Sequence, residues 1–337
     1  DVHGSRGLGD VYKRQVVNAS RVDFDDALDW TPLERLGDAR RYDDCDCDAA
    51  TIATRCEEHG AVVLVTKEIK VDVERLPKSV RLIAEAGTGT DNIDATAAAR
   101  RGIAVCNAPE YSTDGVAALV VAYASASAVA LCERHAALRK GDRRDFKRGD
   151  FSGLTTFPTM FELRGKTIGL IGGTGSIGRA VARACRALGM RATCHSRSAR
   201  DEEGLWEAVS LETLLRTSDF VSVHCPLTEE TRGMIDADAL AMMKPTARLI
   251  NTARGAVVNE RDLIVALREK RIAGAMLDVQ ENEPPSDDSP LYTLENVYLT
   301  PHIGWKRVET RQRLVDMVAA NVEAFLRGEP INVISPA

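Results

Sequence analysis

The chain has 337 residues, 44% hydrophobic and 28% charged, with a formal net charge of −6. That length exceeds what one hydrophobic core usually serves, so two domains are expected. Weak acidity with both signs mixed along the chain argues against a nucleic-acid surface, which needs a clustered basic stripe. In chain order, residues 1–15 lack apolar periodicity and the apolar core of a secretory signal, and are expected to be a non-native or disordered leader. From Val16 short apolar runs alternate with helical stretches. Val16–Ala19, Ala61–Val65, Val80–Ala84 and Ile103–Val105 read as strands, Trp30–Leu36 and Ala95–Arg101 as helices, and a long helix follows Ser112. Residues 136–162 read as a surface connection.

A second alternating series starts at Lys166–Ile171 and runs through Ala192–Cys194, Phe220–Val223, Arg248–Ile250, Ala273–Leu277 and Val297–Leu299. Six strands with helices between them predict a complete dinucleotide-binding domain. A final helix over 308–327 has one apolar face. The fold class is therefore α/β, with two doubly wound parallel-sheet, Rossmann-like domains. The longest apolar stretch, Val116–Leu131, is rich in Ala and Ser and falls short of the roughly 20 strongly apolar residues of a membrane span, so no membrane partner is expected. The eight cysteines contain no CxxC pair, and most sit in apolar segments. No metal is assigned, and a reducing, cytoplasmic compartment is expected.

Gly173-Thr174-Gly175-Ser176-Ile177-Gly178 fits GxGxxG directly after an apolar strand, opening a helix placed at Arg179–Leu188. The glycines allow a tight turn, and the helix start at Ser176 and Ile177 offers unpaired N–H groups to a pyrophosphate. At the end of the second strand an NAD enzyme carries an acid for the ribose 2′-OH. Here Ser196-Arg197-Ser198 stands instead, and the next acids are Asp201 and Glu202. Arginine offers permanently charged planar donors to a 2′-phosphate, so NADP(H) is expected, with NAD possible if Arg197 is only a solvated loop charge.

Three further strand ends carry unusual chemistry: Asn251-Thr252-Ala253-Arg254-Gly255, the acid-rich Asp278–Pro285, and Thr300-Pro301-His302-Ile303-Gly304-Trp305. In a doubly wound sheet, ligands bind beyond the carboxyl ends of the strands. These segments, with Gly87–Asp94, Gly102–Thr113 and Val223–Thr228, resemble the D-isomer-specific 2-hydroxyacid dehydrogenases over nearly the whole chain from residue 16 to 334. Thr66-Lys67, Thr88-Gly89-Thr90 and His302–Trp305 look like the glycerate dehydrogenase branch, while Ser196-Arg197-Ser198 looks like the NADPH-dependent glyoxylate/hydroxypyruvate reductases.

The resemblance implies Arg254, Glu283 and His302 as catalytic residues, with Glu281 as the nearby alternative acid. Arg254 would clamp the substrate carboxylate, His302 would donate a proton to the developing alkoxide, and Glu283 would hold the imidazole and favour its protonated form. Further cofactor contacts are implied for Cys225, Pro226, Thr231, Thr252, Ala253, Asp278 and Gly304. Lys67, Thr88, Gly89, Arg254 and Trp305 are implied in substrate binding. The expected domains are 16–110 with 303–334 for substrate and 111–302 for the dinucleotide. A homodimer is implied, with helix 116–131 a candidate interface. The expected reaction is NADPH-dependent reduction of hydroxypyruvate or glyoxylate; another 2-keto acid, or a dinucleotide-sensing corepressor or scaffold on the same fold, are the alternatives. Gly172 before the motif adds one residue to the strand–turn register of most relatives.

Overall fold

The computed structural model describes residues 15–18, 21–42, 48–146 and 159–334; positions 1–14 of the leader expected at 1–15, and 147–158 of the connection expected at 136–162, lie outside the described residues. The chain divides into two compact units, Asp1–Ser112 with Trp305–Ala337, and Thr113–Gly304.

The first unit is built on a five-stranded parallel sheet. Its strands are β1 (Gln15–Asn18), β2 (Ala39–Tyr42), β3 (Val63–Thr66), β4 (Leu82–Glu85) and β5 (Ala104–Cys106), in the order β2-β1-β3-β4-β5. Gln15, assigned to the leader by sequence, is instead the first residue of β1, fully buried and in register with Ala39 and Val63. Strand β1 is paired on both sides, so its length is set by its neighbours' hydrogen bonds and not by its own apolar run. The helix expected at Trp30–Leu36 is a single turn, Thr31–Glu34. Helix Ala49–His59 starts where the Asp48 carboxylate accepts from Thr51 N–H and stops at Gly60 in the left-handed region, φ 60°. Helix Val308–Leu326 buries Leu314, Val315, Val318 and Val322 against Trp30, Leu33, Val63 and Val65.

The second unit holds seven parallel strands: β6 (Thr167–Ile171), β7 (Arg191–His195), β8 (Glu207–Ala208), β9 (Phe220–Val223), β10 (Arg248–Asn251), β11 (Gly274–Leu277) and β12 (Val297–Leu299), in the order β12-β11-β10-β9-β6-β7-β8. Counted from β6, the first six strands have the 3-2-1-4-5-6 order of a dinucleotide-binding domain, with β12 added at the far edge. The sequence reading took β12 as the sixth strand and missed the two-residue β8. The continuous helix expected to run to Leu131 ends at Ala128. Ala130, at φ 49°, turns the chain, and a second helix, Leu131–Arg139, leaves at 63°, converting part of the expected connection into helix. Among the described residues no single helix is long and apolar enough to cross a membrane. Helix 113–128 buries Ala117, Val120, Tyr123 and Ala124 in one cluster with Val181, Ala182 and Cys185 of helix Ser176–Ala187. That helix starts three residues earlier than the sequence reading placed it.

Candidate active site

Steric crowding explains the glycine turn residue by residue. Gly172 follows β6 at φ 75°, and a Cβ there would lie 2.6 Å from the Cys225 backbone nitrogen. A Cβ on Gly173 would come within 2.6 Å of Leu170, and one on Gly178 within 2.3 Å of the Gly173 carbonyl oxygen. Gly175 differs: nothing lies within 4 Å of the position its Cβ would take. The turn is thus closed where it packs on the sheet and open where it faces out. Helix Ser176–Ala187 begins there with Gly175 as N-cap and no side-chain cap. The N–H groups of Ser176, Ile177 and Gly178 therefore belong to the unpaired donor set of a helix start, the environment a diphosphate needs.

Beyond β7, Ser196 is half-buried while Arg197 and Ser198 are exposed. The Ser196 and Thr174 hydroxyls meet at 3.3 Å, tying this loop to the glycine turn. Arg179 makes a second tie, donating to the Thr174 carbonyl at 3.1 Å and to Glu202 at 2.5 Å with its guanidinium over Trp206. The Glu202 carboxylate is thereby held by Arg179. After β9, Cys225 is buried and Pro226 exposed, and the Thr231 hydroxyl donates to the Pro226 carbonyl at 2.7 Å. The Thr252 hydroxyl oxygen is buried with no hydrogen-bond partner among the described residues. An open cradle at Gly175 and an orphaned hydroxyl at Thr252 both fit a dinucleotide.

The arginine loop follows β10. Asn251, 1% exposed, accepts the Ala253 N–H at 3.0 Å and donates to the Arg254 carbonyl at 2.9 Å, so one buried amide sets the loop's shape. Arg254 is half-buried and donates to the Ala253 carbonyl at 2.9 Å. At Gly255 a Cβ would lie 1.9 Å from the Gln280 carbonyl oxygen, so the arginine loop lies directly against the segment after β11. Within that segment Gln280 N–H donates to Glu283 at 3.1 Å, and Glu281 N–H to Glu260 at 3.0 Å.

His302 meets Glu283, not Glu281: its Nδ1 lies 2.8 Å from Glu283 Oε2. The residue sits at φ 50°, a conformation uncommon outside glycine. Asp278 explains how it is held. This buried carboxylate, 2% exposed, accepts from the Thr300 hydroxyl at 2.5 Å and from the N–H groups of Ile303 and Gly304 at 2.8 Å each, while its own carbonyl accepts from His302 N–H at 2.9 Å. Three of its roughly four acceptor sites are thus spent on the histidine turn. Sequence reasoning gave Asp278 to the cofactor and missed this bracing role. His224, after β9, has its Nε2 buried without a partner among the described residues, and burial pushes its pKa down to about 4.

The residues expected to bind substrate from the first unit fall into two groups. Thr88 is exposed and Gly89 half-buried, in a loop fixed by Thr88 Oγ1 donating to the Ala108 carbonyl at 2.9 Å and Ala108 N–H donating to the Gly87 carbonyl at 2.9 Å. Lys67 and Trp305 are instead buried, 2% and 4% exposed, with the Lys67 ammonium 4.3 Å from the Trp305 ring centroid. The ammonium donates to Glu68 Oε1 at 2.5 Å.

Comparison with known proteins fits this geometry. A family described as "D-isomer specific 2-hydroxyacid dehydrogenase, NAD binding domain" matches residues 127–304. A glyoxylate reductase of Thermococcus litoralis is 42% identical over 83% of this chain and 84% of its own. A glycerate dehydrogenase of Methylorubrum extorquens is 37% identical over 82% and 86%. The crystal structure of an NADPH-dependent glyoxylate/hydroxypyruvate reductase from Sinorhizobium meliloti, in complex with NADP and malonate, superposes with a TM-score of 0.79 at 30% identity, covering 96% of this chain and 97% of that one.

A parallel sheet with a dinucleotide turn and an Arg, Glu and His on successive strand ends defines a nicotinamide-dependent oxidoreductase. The chain belongs to the D-isomer-specific 2-hydroxyacid dehydrogenase family, whose members act on the CH–OH group of 2-hydroxy acids.

Proposed function

We propose that this protein reduces glyoxylate or hydroxypyruvate with NADPH, and that Arg254, Glu283 and His302 carry the reaction. The observation that carries this reading is the 2.8 Å bond between His302 Nδ1 and Glu283. With Nδ1 occupied by the carboxylate, Nε2 is the ring nitrogen left to deliver a proton. A bound nicotinamide dinucleotide supplies the hydride. His302 gives its proton to the carbonyl oxygen, which stays on its carbon as the 2-hydroxyl, and Glu283 stabilises and orients the imidazolium before that transfer. Arg254 binds the substrate carboxylate, its fork matching two oxygens.

NADPH is favoured over NADH because β7 ends without an acid, Ser196-Arg197-Ser198 offers two hydroxyls and a cation, and Glu202 is neutralised by Arg179. A small substrate with a single anionic group is favoured because Lys67, the basic residue that a second anionic group would call on, is enclosed by Glu68 and Trp305. In this reading the first unit is the substrate domain, with the N–H groups of Thr88 and Gly89 receiving the carboxylate, and the second the dinucleotide domain. We read the assembly as a homodimer on the strength of exposed apolar side chains at Leu131, Leu138 and Phe146. A cytoplasmic setting accords with six free cysteines among the described residues.

The test is a steady-state panel of glyoxylate, hydroxypyruvate, pyruvate and phenylpyruvate with each reduced cofactor. The highest kcat/KM is expected for one of the first two with NADPH. A clear preference for NADH removes the cofactor assignment, and tight dinucleotide binding without turnover on any acid favours a sensing or scaffold role.

A further inference from the structure

At the carboxyl ends of β3 and β4 lies a charge cluster that the reaction does not use. Glu85 is fully buried, yet its two oxygens are both engaged: Oε1 accepts the Glu68 N–H at 3.1 Å and Oε2 accepts Asn92 Nδ2 at 2.9 Å. The same Asn92 amide donates to the Ile69 carbonyl at 2.9 Å. A Cβ on Gly87 would lie 3.1 Å from Lys67 Nζ and 3.1 Å from Glu85 Oε1, so the backbone entering the Thr88–Gly89 loop rests on both charges. One buried acid therefore joins the end of β3, the 91–92 turn and the lysine under the loop.

Such a pair is a poor source of stability. Desolvating two charges offsets their attraction, and well-packed apolar residues of similar volume do as well or better. What the ions supply is a fixed position for the backbone in contact with them. We propose that Glu85 is a positioning residue, which together with Lys67 sets the Gly87–Gly89 loop where the N–H groups of Thr88 and Gly89 receive a carboxylate. This rests on the reading above that this loop binds the substrate acid. Burial also pushes Glu85 up to about 7, with the Glu68 charge adding to the push, Lys67, Asn92 and the Glu68 N–H pulling against it, and Tyr111 close enough to feel its charge. As pH falls through this range the Glu85 charge is lost, and Lys67 is left with Glu68 as its only acidic neighbour beside the loop among the described residues.

The experiment measures the Kd of oxamate, an unreactive 2-keto acid isostere, in the presence of saturating NADP+, for the wild type, Glu85→Gln and Lys67→Met/Glu85→Gln. The double variant leaves no charge among the fully buried groups of this cluster, and the part-exposed Glu68 keeps Arg21 at 4.0 Å, so it separates positioning from a failure to fold. Oxamate affinity is expected to fall about tenfold in both variants at pH 8, with dinucleotide Kd unchanged. The ratio of Glu85→Gln to wild-type Kd should shrink toward 1 at pH 6, because protonation then does in the wild type what the substitution does. Wild-type affinity in the double variant, or a ratio constant between pH 8 and pH 6, overturns the proposal, as does a wild type that does not bind oxamate. If the wild type binds oxamate but reduces no keto acid, the functional reading fails while the variant ratio still decides the role of Glu85.

Discussion

Both units place charged residues at or just beyond the ends of parallel strands, and they use them in opposite ways. In the second unit the His302 and Glu283 side chains remain 23% and 39% exposed, held at one angle by a backbone turn that Asp278 braces from below. In the first, Lys67 and Glu85 are shut away, and every polar contact they make goes to the protein. A reacting group needs access and one braced orientation, whereas a buried charge needs full compensation and therefore serves shape. Position on the strand is shared; burial decides the role.

The sharpest way to break this contrast is His302→Ala. Loss of a positioned proton donor is expected to lower kcat by about 10² to 10⁴ while NADPH Kd stays unchanged. Full turnover would remove the histidine from the reaction. Glu283→Gln keeps a hydrogen-bond acceptor but loses the charge, and is expected to cost about 10- to 100-fold in kcat, read in the same assay. A third variant sharpens the picture at the cofactor. Arg197→Ala should lower the ratio of kcat/KM for NADPH to that for NADH by about tenfold, and an unchanged ratio makes Arg197 a bystander.

The last effect is on stability and concerns His224. It is held neutral in the fold with a pKa of about 4, against 6.5 when exposed, so between those values the unfolded chain binds a proton that the folded one does not. Stability from this residue is therefore lost as pH falls from about 6.5 to about 4, by at most about 3 kcal/mol. Thermal melts of His224→Leu should show a flatter acid limb than the wild type.

How much of this the sequence reveals depends on whether the information is local. The apolar runs at 63–66, 167–171, 220–223 and 248–251 announce their strands because both faces of each are buried. Strand β2, Ala-Arg-Arg-Tyr, and the two-residue β8 are edge strands whose partners define them, so their composition carries no signal. The break at Ala130 is equally silent, since alanine does not advertise a positive φ. In the site, the motif order picks out Arg254, Glu283 and His302 because each follows a legible strand. Lys67 is the converse case: a sequence displays its charge but not its enclosure. Glu85 had a signal that went unread, an acid placed directly after the apolar Leu-Ile-Ala of β4.

The contact at Gly255 carries a consequence for anyone who would re-engineer this enzyme. Because no side chain fits between it and the Gln280 carbonyl, the segments bearing Arg254 and Glu283 interlock as a single moulded part. Grafting either one alone from a relative with a different substrate should misfit, whereas residues 251–255 and 278–283 transplanted together keep their shared seam.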